Sequence, residues 1–393
     1  MNIQEVLRSV LNEQCADIHS GRLNAVLDVA EGLRQSQNLS IAAIGRKLSG
    51  EAKIKHKIKK VDRCLGNKHL HKELRELYKG LSYFIFQHIR NLKEDCIVID
   101  LCYLKDDRMI QMLSAQLCTR GMSLPLYQEV FAEGALKERT ESFLANLKTI
   151  IPDGKKVVII MDAGFHVEWF RVIENYGWDW ICRVRRGKTI KLNDEWISIQ
   201  DYIPKVGTVT KDQGMILFTE RHKYSCRLVT TRKDPKGRKQ KISRNKTSSK
   251  FANGSYSKAA KEPWMLITNV SNERYNASEI VEFYTKRMQI EETFRAIKSH
   301  QFGLSARYVQ TLDVNRWAVL MLLSSVILIT YWIIGVIGHY NGMQKLFQVN
   351  TSNERQFSYF TLGKLIIEYQ KLYEIPLSLL TLSDIIMTEL KNV

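Results

Sequence analysis

A succession of apolar segments in the first half of the chain constrains the fold most strongly. Their residue patterns predict strands at 96–104, 108–117 and 124–133, a helix at 138–150, a strand at 156–161, a helix at 167–176 and a strand at 179–184. Residues 157–161 are apolar without interruption, which is typical of a parallel strand covered on both faces. The order predicts an α/β protein whose sheet begins as a three-stranded meander.

Two aspartates interrupt these apolar segments. Asp100 lies inside the first strand, and Asp162 directly follows the strand at 156–161. A carboxylate at such a place is costly unless it is compensated, and a buried arginine or a backbone cap could compensate either aspartate alone. The order of elements is that of the RNase H-like fold, in which the first and fourth strands are neighbours, so the two carboxylates would meet. Two close negative charges call for a shared proton or a bound cation.

A helix is predicted for residues 284–298, with Ser278 as a cap near its start. At about 100° per residue, four polar side chains fall within a stripe about 60° wide. They are Tyr284, Arg287, Glu291 and Lys298, and an apolar stripe lies directly beside them. The alternative interpretation is an ordinary solvated face of an amphipathic helix.

The pattern Y-x2-R-x3-E-x6-K formed by these four residues resembles the YREK signature of DDE transposases from bacterial cut-and-paste insertion sequences, the group called insertion-sequence family four. The resemblance covers nearly the whole chain and is strongest from 162 to 298. It implies an RNase H-like catalytic core with a β-rich insertion, a helical N-terminal DNA-binding domain and a helical C-terminal region that pairs subunits. The corresponding boundaries are 1–88, 89–305 with the insertion at 186–272, and 306–393.

The resemblance also implies the catalytic residues. In this family the first Asp lies on the first strand, the second at the end of the fourth strand, and a Glu on a later helix. Those places belong here to Asp100, Asp162 and Glu291, which would bind two Mg²⁺ ions that Mn²⁺ can replace. An all-oxygen donor set favours Mg²⁺ over zinc. Glu292 is the rival third ligand, but it lies about 100° around the helix and outside the signature spacing.

Other residues are expected to contact DNA near the scissile bond. The resemblance implies that Tyr284, Arg287 and Lys298 contact phosphates, and that Trp264 stacks on a base flipped from the DNA end during hairpin formation. The sequence by itself favours a different role for Trp264, that of a core aromatic residue at the start of a strand.

The charge of the chain favours a polyanionic partner. The formal net charge is +18, and Lys and Arg that neutralise phosphates gain free energy from counterion release. Nucleic acid is the leading candidate, and an anionic membrane is second. Segment 232–250 carries nine Lys or Arg residues and one Asp, and its Gly and Ser residues predict a mobile basic loop.

A helix-turn-helix is predicted near the N-terminus, with helices at 41–48 and 53–65. Basic residues crowd the second helix, so it could lie along a DNA groove. The candidates for DNA contacts are Lys53, Lys55, Lys59 and Arg63. A solvated charged helix is the alternative.

Cysteine usage and hydropathy bear on the compartment. The seven cysteines contain no C-x-x-C pair, which fits a reducing cytosol better than a disulfide framework or a zinc site. The charged residues Glu5 and Arg8 interrupt the N-terminal segment, so no signal peptide is predicted.

Residues 317–337 carry no charge and are long enough to span a membrane, but we predict a core helix buried on all sides. The expected location is the bacterial cytosol, in association with the nucleoid.

These observations lead to three functional hypotheses. The first is a transposase that cuts the terminal inverted repeats of its element, passes through a hairpin intermediate and joins the element to target DNA, acting as a homodimer without a membrane. The second is a DNA-binding protein derived from a transposase that cuts nothing. The third is a single-span membrane protein with a basic domain.

Overall fold

The computed structural model describes residues 3–89, 94–232, 262–300, 303–349, 351, 356–369 and 379–391. The helices are α1 (Ile3–Gln14), α2 (Ser20–Ser36), α3 (Ile41–Lys47), α4 (Ile54–Leu65), α5 (Lys68–His88), α6 (Thr140–Ile150), α7 (Val167–Asn175), α8 (Ile199–Tyr202), α9 (Ala277–Thr285), α10 (Met288–Lys298), α11 (Val314–Tyr340), α12 (Tyr359–Glu368) and α13 (Leu379–Lys391). The strands are β1 (Asp95–Tyr103), β2 (Ile110–Cys118), β3 (Ser123–Ala132), β4 (Val157–Met161), β5 (Asp179–Val184), β6 (Thr189–Leu192), β7 (Glu195–Ser198), β8 (Lys211–Phe218), β9 (Tyr224–Thr231) and β10 (Trp264–Thr268).

The chain divides into two units. The first comprises Met1–Val157 and Arg287–Val393, and the second comprises Val158–Lys286. The strands and helices predicted between 96 and 184 are all present, and their ends differ from the predicted ones by no more than two residues. The α/β interpretation of this region is therefore confirmed.

The sheet of the first unit is an antiparallel meander with the strand order β3-β2-β1. Asp100 of β1 lies opposite Ser114 of β2 in this register. Helices α5, α6, α10 and α11 contact β3, and β2 is buried along its whole length. The sheet therefore offers little solvated surface, which explains the apolar character of its strands.

Helix α11 contains the uncharged segment 317–337. It is long and apolar enough to cross a membrane, but 94% of its apolar window is buried inside the protein. It packs against helices and sheet of the first unit, most closely against α12. A Cβ atom on Gly335 would come within 1.8 Å of the Tyr359 carbonyl oxygen, so the two helix backbones approach more closely than a side chain would permit. The prediction of a buried core helix is confirmed.

The predicted helix-turn-helix is present as α3 and α4. Gly66 ends α4, and its N–H donates to the carbonyl oxygen of Asp62 at 3.0 Å. Gly45 of α3 lies against the backbone of α4, where an added Cβ would meet the Ile58 Cα at 2.7 Å. The two helices therefore pack in close contact.

The second unit contains a mixed sheet with the strand order β4-β5-β10-β9-β8-β6-β7. Strands β4 and β5 are parallel, and the pairs from β5 onward are antiparallel. The strands of the predicted insertion therefore continue the sheet of β4 and β5 through β10. Most of the predicted basic loop 232–250 lies outside the described residues, which end at Arg232 and resume at Glu262.

The prediction of one helix through 284–298 is wrong. Two helices, α9 and α10, are separated by a turn at Lys286 and Arg287, where the N–H groups of Lys286 and Ile290 donate to carbonyls three residues earlier. Bonds of this spacing tighten the chain and end the regular α-helical ladder. The polar stripe is thus divided, with Tyr284 on α9 and the later residues at the start of and along α10.

The predicted cap is also wrong. Asn276, and not Ser278, caps α9, since its side chain accepts from the N–H groups of Ser278 and Glu279. The Glu279 carboxylate in turn accepts from the N–H of Asn276 at 2.8 Å. This reciprocal capping box satisfies donors at the helix start, and it places Ser278 inside the first turn.

Candidate active site

Asp100 lies within β1 with its side chain 15% exposed. Its Oδ2 accepts a hydrogen bond from Arg287 Nη1 at 3.2 Å, and its Oδ1 accepts one from the backbone N–H of Leu101 at 2.8 Å. Both forms of compensation considered for a carboxylate in a strand, an arginine and a backbone donor, are therefore present. Charge-assisted bonds of this kind offset the desolvation of the carboxylate.

Glu291 meets the same guanidinium. Arg287 Nη2 donates to Glu291 Oε1 at 2.5 Å, and the Arg287 side chain is only 15% exposed, whereas that of Glu291 is 45% exposed. A single, partly buried guanidinium thus bridges the two predicted acids of the first unit. The structure brings Asp100, Arg287 and Glu291 together as a cluster in which two negative charges converge on one cation.

Glu292, the rival carboxylate, has a different partner. Its Oε2 accepts from Arg295 Nη1 at 2.7 Å, and both side chains are solvent exposed. Pairs of this kind on a helix surface contribute little to stability. Of the two adjacent glutamates, it is Glu291 whose carboxylate reaches the guanidinium bound to Asp100.

Lys298 ends α10 close to the end of β1. Its Nζ donates to the carbonyl oxygen of Tyr103 at 3.2 Å and lies 5.4 Å from the centre of the Phe294 ring. Burial raises the pKa of the neighbouring Cys102 thiol to about 12, although Lys298 acts in the opposite direction. Cys102 is therefore a neutral thiol at physiological pH and supplies no thiolate nucleophile.

Asp162 follows β4 in the second unit. Its Oδ1 accepts from the N–H of Gly164 at 2.8 Å, and its carbonyl oxygen accepts from the Cys182 thiol of β5 at 3.1 Å. Burial raises the pKa of Cys182 well above its usual value, so this thiol is neutral. The backbone bond is the local cap considered for this aspartate, and it orients the carboxylate at the end of the strand.

Trp264 and Tyr284 form an aromatic pair in the second unit. Trp264 begins β10 and is half-buried, and its ring contacts that of Tyr284 edge to face, with centroids 5.0 Å apart. Tyr284 is only 3% exposed. The structure therefore places Tyr284 as a packing partner of Trp264, while part of the indole remains accessible.

The predicted basic residues of the N-terminal region are exposed. Lys55, Lys59 and Arg63 recur every four residues along α4 and share one face of the helix, and Lys53 precedes it. Arg63 also lines a cavity of about 200 Å³ between α2, α4 and α5, together with Arg22 and Lys60. The fold thus presents these cations to solvent, where phosphates could reach them.

Sequence reasoning missed two polar residues of α10, Gln289 and Thr293. Gln289 contacts Thr119 in the turn after β2, and Thr293 contacts Ser123 at the start of β3. The available indication was their spacing of four residues, which places them on one face of a helix beside apolar residues. Their partners lie far away in the sequence, so no local pattern identified them.

The donor set suits a hard divalent cation. Asp100 and Glu291 provide carboxylate oxygens and already share a positive group, the Arg287 guanidinium. Among the residues that the structure describes, no three His, Cys, Asp or Glu side chains form a group that could hold a metal ion. Within the described residues, the carboxylate pair of Asp100 and Glu291 is therefore the part of a cation site that this structure brings together.

Comparison with known proteins identifies the family. The Transposase DDE domain matches residues 105–328, which is more than half of the 393 residues. The matched range includes Asp162, Trp264 and the whole of α9 and α10, and it begins after Asp100. No curated protein matches the sequence significantly. The chain therefore belongs to the transposase DDE domain family.

Proposed function

We propose that the chain is a cut-and-paste DNA transposase of insertion-sequence family four, similar to the transposase of the tetracycline-resistance composite transposon. The family implies a transposase that binds DNA and transfers phosphoryl groups. The observation that carries the finer proposal is the convergence of Asp100 and Glu291 on Arg287. A protein that only binds DNA has no need to retain Asp100, Asp162 and Glu291 together with the signature residues Tyr284, Arg287 and Lys298.

Asp100, Asp162 and Glu291 are the proposed ligands of two Mg²⁺ ions. When bound, such ions activate an attacking water or 3′-hydroxyl and stabilise the leaving 3′-oxygen. In this structure Arg287 balances part of the charge of Asp100 and Glu291. With these carboxylates bound to metal, the guanidinium would be available to bind a phosphate beside the scissile bond, for which its fork of donors is suited.

Lys298 and the Trp264–Tyr284 pair support the DNA in this proposal. Lys298 adds a cation near the end of β1. The half-buried indole of Trp264 receives a base flipped from the bent DNA end, while Tyr284 supports the indole from its edge. Extruding a base costs a few kcal/mol, and stacking on an aromatic side chain returns about 1–3 kcal/mol.

The proposed reaction proceeds by hydrolysis and transesterification. Water first cleaves a phosphodiester at the element end, and the released 3′-hydroxyl attacks the opposite strand to form a hairpin. A second water then hydrolyses the hairpin and frees the 3′-hydroxyl again, and this hydroxyl attacks target DNA, so that each phosphodiester broken in strand transfer is replaced by a new one. The proposed substrates are the terminal inverted repeats and target DNA, bound by a homodimer in the bacterial cytosol.

A cleavage assay tests this proposal. Purified protein should nick DNA that carries the ends flanking its gene in Mg²⁺ or Mn²⁺, but not in Ca²⁺ or EDTA. Asp162→Ala should abolish nicking and leave end binding largely intact, since it removes a ligand and no cation. Full cleavage by this variant would contradict the assignment.

The two adjacent glutamates provide a matched comparison. Glu291→Gln should abolish nicking, whereas Glu292→Gln should retain it, because only Glu291 shares the guanidinium of Arg287 with Asp100. The reverse result would show that α10 presents the other carboxylate to the site. End binding without cleavage by the wild-type protein would instead favour a non-catalytic DNA-binding protein.

A further inference from the structure

Gln289 joins α10 to the turn between β2 and β3 through both polar atoms of its side chain. Its Oε1 accepts from the N–H of Thr119 at 2.8 Å, and its Nε2 donates to the carbonyl oxygen of Thr119 at 2.8 Å. The amide thus pairs with one backbone residue in the way that a neighbouring strand would. Two opposed bonds to one residue leave the side chain little freedom to slide along the turn.

Thr293 makes the second attachment, one helical turn later. Its hydroxyl donates to the carbonyl oxygen of Ser123 at 2.7 Å and accepts from the N–H of Ser123 at 3.2 Å. Thr293 has no exposed surface, and the Ser123 hydroxyl in turn donates to Gln116 Oε1 at 2.6 Å. A fully buried and satisfied network of this type is specific in geometry, since a displaced partner would leave buried polar groups unpaired.

These bonds, which we name the hairpin contact (Gln289–Thr119 and Thr293–Ser123), connect the two acids of the first unit. The turn belongs to the β2–β3 hairpin, and β2 pairs with β1, where Asp100 lies opposite Ser114. Glu291 stands midway between Gln289 and Thr293 in sequence. At about 100° per residue it projects from the opposite side of α10. The hairpin contact therefore holds the back of the helix while Glu291 faces Arg287 and Asp100.

Directional bonds set the position of α10 more narrowly than its apolar contacts do. Ile290, Phe294 and Ile297 are buried, but apolar burial is non-directional and tolerates sliding. A slip of one residue would move the helix by about 1.5 Å and rotate Glu291 by about 100°. A displacement of about 1 Å at a reacting centre can lower a rate by about a hundredfold.

We propose that Gln289 and Thr293 are positioning residues that hold α10 in the register in which Glu291 meets Asp100. They touch neither acid and act only through the helix and the hairpin. The proposal rests on the proposed transposase function, because its consequence for rate assumes that Glu291 is a metal ligand.

The experiment compares Gln289→Met and Thr293→Val, which keep side-chain size and remove hydrogen bonds, with Thr293→Ser, which keeps the hydroxyl. Arg295→Gln on the exposed face of α10 is the control. The readouts are the nicking rate on saturating end DNA, the Mn²⁺ concentration for half-maximal nicking, end-DNA affinity, thermal unfolding and amide hydrogen exchange of 288–298.

We expect Gln289→Met and Thr293→Val to lower the nicking rate about tenfold to a hundredfold and to raise the half-maximal Mn²⁺ concentration, with end-DNA affinity unchanged. Exchange in 288–298 should accelerate, whereas Thr293→Ser and Arg295→Gln should remain close to the wild type. Equal behaviour of Thr293→Val and Thr293→Ser would overturn the proposal. So would a rate loss accompanied by a parallel loss of end binding and of folding, which indicates general destabilisation.

Failure of the proposed function gives a different result. A wild-type protein that binds ends and nicks nothing would refute the enzyme assignment, yet exchange would still test the hairpin contact. Faster exchange of 288–298 in Gln289→Met and Thr293→Val, but not in Thr293→Ser, would support the positioning role. Unchanged exchange of 288–298 in both Gln289→Met and Thr293→Val would exclude the positioning role.

Discussion

Arg287 is the residue on which the two acids of the first unit converge. It lies 3.2 Å from Asp100 and 2.5 Å from Glu291, and it is 15% exposed. In this state the charges of the carboxylates are already partly balanced by a group that belongs to the protein. In the proposed site, Arg287 would compete with a metal ion for the same oxygens, and a phosphate bound by the guanidinium would leave those oxygens to the metal.

Replacement of Arg287 by Met should strengthen metal binding by the DNA-free protein. The guanidinium repels a divalent cation from Asp100 and Glu291, and its removal is expected to tighten Mn²⁺ binding about tenfold, equivalent to about 1.4 kcal/mol. Electron paramagnetic resonance of free Mn²⁺ measures this affinity, with Arg295→Met as the control on the same helix. An unchanged Mn²⁺ affinity would show that Arg287 does not occupy the metal position. Nicking by Arg287→Met should nevertheless fall, because a phosphate contact is lost.

Trp264 provides a second test at the level of a single residue. Its indole is half-buried and contacts the Tyr284 ring edge to face, and part of its surface remains accessible. Trp264→Ala should leave first-strand nicking nearly normal and slow hairpin formation, because stacking worth about 1–3 kcal/mol is needed only after the first nick. Nicked ends should accumulate on a denaturing gel, and Trp264→Phe should restore part of the hairpin rate. Equal loss of both steps with a lower melting temperature would assign Trp264 to the core.

At the scale of elements, the strands and the buried helix were predictable from sequence. β4 and α11 are covered on all sides, and burial of this kind leaves an uninterrupted apolar run that needs no knowledge of the partners. Asp100 and Asp162 could be identified for the same reason, because each places a carboxylate in or directly after such an apolar run. The hairpin contact left no comparable pattern, because Gln289 and Thr119 are 170 positions apart in the sequence.

The break between α9 and α10 was not predictable either. Lys286 and Arg287 keep right-handed helical backbone angles through the turn. The residue types and the apolar periodicity of this stretch therefore do not indicate that the helix is interrupted there. The start of α9 was misplaced because Ser278 and Asn276 are both good caps, although only Asn276 has a Glu three residues later, the spacing that the reciprocal bonds with Glu279 require.

The capping box gives a prediction at this scale. Asn276→Ala should lower the free energy of unfolding by about 1 kcal/mol, since two N–H groups lose their acceptor. Ser278→Ala should have a much smaller effect, because Ser278 lies inside the first turn. Urea unfolding of both variants measures the difference, and a larger loss for Ser278→Ala would restore it as the cap.

At the scale of the whole molecule, the two units divide the proposed machinery. The first carries Asp100, Arg287, Glu291 and Lys298, and the second carries Asp162, Trp264 and Tyr284. The predicted domain boundaries at 88/89 and 305/306 stay predictions, as does the assembly into a homodimer. The burial of α11 was foreseeable from sequence, whereas the division of the chain was not, because the second unit both begins and ends inside the predicted catalytic region.

The net charge of +18 leads to a prediction for the complete chain. Cations that neutralise phosphates release counterions, so the affinity for end DNA should fall steeply as salt rises, with a logarithmic slope of about −0.9 for each phosphate contacted. Segment 232–250 supplies nine of the positive side chains, and the loop predicted from its sequence is expected to bind phosphates without reading bases.

Deletion of 233–250 should therefore reduce the affinity for element ends and for unrelated DNA by similar factors and make the salt slope shallower. Arg232 is kept in this variant because its guanidinium donates to the carbonyl oxygens of Ile203 and Val206 and thus belongs to the folded second unit. Fluorescence anisotropy over a salt series measures both quantities. A loss of affinity confined to element ends would assign sequence recognition to this segment. An unchanged slope would show that its cations do not contact DNA, and the basic face of α4 would then be the first place to seek the phosphate contacts.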